Sequence, residues 1–139
     1  RDIFAKNRKR FIDTEMDENC DRCRSTVIIK ENIEHLLWEC PFVRQTWSNL
    51  EEVLKDLRIE CTLTPAKIIY GIDEAENCVN LVITHLTKLI VGNSEIKTMS
   101  KEFIIKEIKS LRAIELYIAK AKHTIDKHYS KWKIFESIE

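Results

Sequence analysis

Glycine is nearly missing from this chain. Gly71 and Gly92 are the only two in 139 residues, and proline is as scarce, at Pro41 and Pro65. A sheet protein needs many tight turns, and these residues make them, so the shortage points to helices. Long apolar runs are missing too. They stop at short blocks such as Leu36-Leu37-Trp38, far below the roughly 20 residues of a membrane span. No secretory leader is visible, and the chain opens on Arg1. It reads as a segment of a longer, intracellular polypeptide. Net charge is missing as well, with 23 basic and 23 acidic side chains. Five cysteines with no leader argue against a secreted disulfide framework and for reduced thiols, some of them on a metal. Cys61 and Cys78 stand apart and read as small core residues.

Charge is present, but in blocks. Residues 1–12 carry a net of +4, residues 13–60 a net of −6 and residues 97–133 a net of +6. The ends therefore attract phosphate and the middle does not. The plainer reading of the second basic block is the solvated face of a helix.

Helix signals are clear. Asn32 is placed to cap "IEHLLWE", and Pro41 ends that helix near Glu39–Cys40 and opens another, running to about Asp56. Val43, Trp47, Leu50, Leu54 and Leu57 form its apolar face. Thr64 caps a short turn closed by Gly71. Residues 75–92 are apolar on most sides and predict the most buried helix. Ser100 caps a long helix over 100–133, with Ile104, Ile108, Leu111, Ile118, Ala121, Ile125 and Trp132 on one face. The expected fold is all-α, with a small zinc-knuckle-like N-terminal end and a long C-terminal helix. Its parts are a basic and polar lead-in (1–19), a metal-binding segment with its following helix (20–57), and a helical remainder packed on it (58–139).

The pattern that carries chemistry is Cys20-x2-Cys23-x11-His35-x4-Cys40. Three thiolates and one imidazole make a closed tetrahedral zinc set, with no position left for water or substrate. One structural zinc held by Cys20, Cys23, His35 and Cys40 is therefore expected. Five residues on a straight α-helix diverge by roughly 140°, so His35 and Cys40 need a break between them, which Pro41 would impose. Metal loss is expected to release residues 20–47 and leave the later helices standing. The competing reading is a reduced core with a hydrogen-bonded histidine.

"CDRCRSTVIIKENIEHLLWECPFVRQTW" resembles the zinc-binding segment after the polymerase domain of non-LTR (LINE-type) retrotransposon reverse transcriptases. The shared features are Cys20-x2-Cys23, Glu34-His35-Leu36, Cys40-Pro41 and Trp47. "IIYGI", the apolar helix over 79–91 and "IELYIAKAK…YSKW" resemble the tail that follows. The gap of eleven separates it from retroviral knuckles, which have four. The resemblance implies an accessory domain that holds template RNA or target DNA for target-primed reverse transcription, in the nucleus and cytoplasm. Its partners would be RNA or single-stranded or nicked DNA, bound weakly alone, and the upstream polymerase domain, with no membrane and no small-molecule substrate.

No catalytic centre is expected in the segment itself. It has no YxDD-type aspartate pair, and Asp73-Glu74 and Glu51-Glu52 read as solvated ends. The candidate phosphate contacts are Lys6, Arg8, Lys9, Arg10, Arg22 and Arg24, then Lys120, Lys122, Lys127, Lys131 and Lys133. Trp38 and Trp47 fit core faces better than base stacking, whereas Tyr129 and Trp132 lie near lysines at a helix end, where stacking has room. The alternative is a protein-interaction or structural zinc-helical module, such as a host-captured tail, with no direct nucleic-acid contact.

Overall fold

The computed structural model describes Arg22 and residues 35–72, 77–93 and 95–138. Within them the chain is helical and forms no strand, as expected of an all-α protein. A π-helical turn spans His35–Glu39. Five α-helices follow: α1 Pro41–Asp56, α2 Pro65–Tyr70, α3 Asn77–Gly92, α4 Lys101–Ala121 and α5 Ile125–Trp132. A 3-10 turn, Lys133–Phe135, follows directly on the last helix. Among the described residues no helix is long and apolar enough to cross a membrane.

The starts of these helices follow their local chemistry. Pro41 and Pro65 stand at first-turn positions, where the missing N–H is no loss. The Thr64 and Ser100 side chains accept from the Lys67 and Phe103 N–H groups, at 3.3 and 3.1 Å. The proposed cap at Asn32 lies outside the described residues.

Packing follows the apolar faces. Val43, Trp47, Leu50, Val53 and Leu54 of α1 are buried, and so are Cys78, Val79, Val82, Ile83, Leu86 and Ile90 of α3. One apolar cluster runs from Leu36 to Ile138 and includes both faces. Cys61 packs against it, half-buried, and burial raises the pKa of its thiol. Lys67 opposes that shift and Glu51 adds to it. Cross-links between segments are polar and few. Thr46 Oγ1 accepts from the Met99 N–H at 3.0 Å, while the Asn49 amide donates to the Met99 carbonyl at 2.9 Å. Asn80 does the same for Ile72, accepting from its N–H and donating to its carbonyl.

The expected long C-terminal helix is two helices. α4 stops at Ala121, His123 turns left-handed at φ 57°, and α5 folds back along α4. The Thr124 N–H reaches the Ala119 carbonyl at 2.8 Å and the His123 N–H reaches Lys120 at 3.3 Å. This is the Schellman bonding pattern, which usually places glycine where His123 stands. α1 ends the same way, with Arg58 at φ 63° and the Ile59 N–H on the Leu54 carbonyl at 2.8 Å. The hairpin is held by Trp132 and Phe135 in the core and by two polar ties. Lys131 pairs with Glu115 at 2.9 Å, and Arg112 donates to the Phe135 carbonyl at 2.9 Å.

Candidate metal centre and nucleic-acid surface

Two of the four expected ligands, His35 and Cys40, lie within the described residues, and both are fully buried. They bracket the π turn. The Cys40 N–H donates to the His35 carbonyl at 2.9 Å, an i→i+5 bond. Such a bond closes one wide turn over five residues, so residues five apart return to nearly the same side. The divergence of a straight α-helix is thereby removed within the turn. Cys40 then leaves it at φ −58°, ψ 124°, the extended conformation that a following proline demands. Pro41 thus ends the turn, as expected, but the widened turn supplies the geometry.

Cys20 and Cys23 lie outside the described residues. So do Lys6, Arg8, Lys9, Arg10 and Arg24. Among the described residues no group of three or more His, Cys, Asp and Glu side chains is placed to hold a metal.

Arg22, between the two cysteines, is described, and it is not a surface cation. It is only 2% exposed. Its guanidinium donates to the carbonyls of Ile90 at 2.6 Å, Asn93 at 2.9 Å and Ile96 at 2.6 Å. Lys97 in turn donates to the Arg22 carbonyl. These acceptors lie at the C-terminal end of α3 and in the loop after it. Helix carbonyls are orphaned there and the macrodipole favours a cation. The expectation that Arg22 contacts phosphate is therefore corrected, because its guanidinium is buried and its Nε and one terminal nitrogen donate to carbonyls inside the fold. The π turn packs on α3 as well. Arg22 and the π turn thus meet the same helix.

The second basic block lies mostly at the surface. Lys120, Lys122, Lys127 and Lys133 are exposed around the hairpin formed by α4 and α5. Lys131 is half-buried in its pair with Glu115 and is the least available. Of the candidate stacking residues, Trp47 is buried with its indole N–H on the Leu37 carbonyl at 2.7 Å. Trp38 is half-buried, with the Arg44 guanidinium 4.9 Å from its ring. Trp132 is buried, and Tyr129 is 61% exposed.

His128 is buried between the helices of the hairpin, at 5.4 Å and 77° to the Tyr129 ring. Burial lowers its pKa. Glu115 opposes the shift, while Lys131 and Arg112 reinforce it. The folded chain therefore binds this proton less readily than the unfolded one, whose histidine titrates near about 6.5. His128 leaves stability untouched above that pH and lowers it as pH falls from there through the folded value. Melting at pH 7.5 and 5.5 should show a larger acid loss for the native chain than for His128→Gln. Equal losses would contradict this.

Comparison with protein-family models, curated proteins and solved structures found no match.

Proposed function

We propose that the chain is a structural-zinc, nucleic-acid-binding accessory domain of a non-LTR retrotransposon reverse transcriptase. It positions template RNA or target DNA for a polymerase elsewhere in the same polypeptide and carries no catalytic centre of its own. The observation that carries this reading is the Cys20-x2-Cys23…His35-x4-Cys40-Pro41 pattern, with its second half buried on one π turn. The zinc would cross-link the segment at Cys20–Cys23 to that turn. His35 and Cys40 would be held by the core, and Arg22 would fix the Cys20–Cys23 segment to α3. Lys120, Lys122, Lys127 and Lys133 would offer phosphate contacts that position a strand without reading its sequence.

A second reading has an observation of its own. Ile114 is 59% exposed and Tyr117 77% exposed on α4, with Ile118 and Ile125 also open. An apolar face of this kind suits a protein partner.

Salt separates the two. A labelled oligouridine should bind weakly at low salt, and its affinity should fall steeply as salt rises. Replacing Lys120, Lys122, Lys127 and Lys133 together by Gln should flatten that slope by roughly 0.7 per lost contact. Replacing Lys67 and Lys88 should change little, since Lys67 already donates to the Thr62 carbonyl at 2.7 Å. No binding at low salt would remove the nucleic-acid reading and leave the protein-interaction one.

A further inference from the structure

The hairpin that replaces the expected long helix encloses a cleft of about 700 Å³ between α4, α5 and the 3-10 turn. Its size lies in the range of small-ligand sites. We propose that this cleft holds one unpaired nucleotide. The inference deepens the function proposed above and rests on it for the source of that nucleotide, a single strand.

Three features of the walls select the ligand. Charge comes first. Lys109, Arg112 and Lys133 line the cleft against the single acid Glu136, so it favours an anion. Arg112 is held in place by its bond to the Phe135 carbonyl, and a guanidinium has further N–H groups to offer. Second, Tyr129 lines the same cleft while more than half exposed. Its edge-on contact with the His128 ring orients an aromatic ring on which a base can stack. Third, the Trp132 indole N–H is buried and has no hydrogen-bond partner among the described residues. A buried donor without an acceptor is unfavourable, and most such groups in folded proteins are satisfied. A base carbonyl seated beside Trp132 after a small movement of the rim would satisfy it. Phosphate alone meets the first feature, whereas a nucleotide meets all three.

The test uses the full zinc-loaded chain. A labelled ten-residue oligouridine is titrated by anisotropy into the native chain, Tyr129→Ala and Trp132→Phe. In parallel, the Trp132 indole N–H resonance is followed on adding the oligomer, uridine monophosphate or inorganic phosphate. Tyr129→Ala should weaken oligomer binding about tenfold, as loss of one stacking platform does. Trp132→Phe should weaken it too, with the melting profile checked for intact folding. The indole signal should move with the oligomer and with the monophosphate, and hardly with phosphate. Oligomer binding that is unchanged in both variants, with a still indole signal, would overturn the cleft and leave the broader function standing. An equal response to phosphate would overturn base recognition. A response to uridine monophosphate without oligomer binding would support the cleft and overturn the strand-binding function. No binding of any probe would overturn both.

Discussion

Arg22→Met should lower the stability of the folded chain by about 3 kcal/mol, the scale expected when charge-assisted hydrogen bonds to buried and part-buried acceptors are removed. The carbonyls of Ile90, Asn93 and Ile96 would lose the donor they share. Water cannot easily replace it at the Ile90 carbonyl, where the bond is buried. Against a total of about 5–15 kcal/mol for a domain, the effect is large. Urea denaturation should show an earlier midpoint with an unchanged slope. Arg22→Lys should rescue little, since one ammonium cannot span three carbonyls as a planar fork does. On the proposed zinc reading the variant should also hold the metal less tightly, because Arg22 sits between Cys20 and Cys23. Stability within about 0.5 kcal/mol of the native chain, the usual range for a surface change, would mean that Arg22 is a solvated surface cation after all.

That residue marks the limit of what could be read from the chain alone. An arginine beside a cysteine pair looks like a solvated cation, and only the tertiary fold brings α3 carbonyls to it. Helix starts were legible because Pro41, Thr64-Pro65 and Ser100 act locally. The apolar faces of α1 and α3 were legible from their spacing. Two helix ends were not. Arg58 and His123 occupy left-handed positions that glycine usually marks, and this chain has almost no glycine to mark them. At His123 the apolar spacing ran on from Ile118 to Ile125 across the turn, so the break left no trace in the periodicity. The Cys-x2-Cys…His-x4-Cys spacing could be read as a candidate ligand set, but the wide turn between His35 and Cys40 could not. Pro41 announced a break, and nothing in "HLLWE" announced a widened turn.

If the chain holds zinc as proposed, removing the metal should unfold far more than the segment that would bind it. The sequence suggested a local loss over residues 20–47, with the later helices intact. The described core argues otherwise. Leu36 and Leu37 of the π turn belong to the same apolar cluster as α1, α3 and the end of the hairpin. The Trp47 indole is tied to the Leu37 carbonyl, so losing the turn also leaves a buried donor in the middle of α1. Apparent zinc-binding energies in small structural sites are about 10–16 kcal/mol near neutral pH. That equals or exceeds the whole stability expected of a domain this size. Chelation, or Cys23→Ser, should therefore cost most of the helical signal at 222 nm and the slow amide exchange of Trp47, Leu50 and Leu86 together. The hairpin of α4 and α5, built from contacts close in sequence, should be the last to lose protection. Cys61→Ser should keep about one zinc per chain, as its thiol stands outside the pattern. A metal-free chain with full helicity and slow exchange at Trp47 would show that the core holds the π turn unaided. A Cys23→Ser chain that kept its zinc would remove that cysteine from the ligand set.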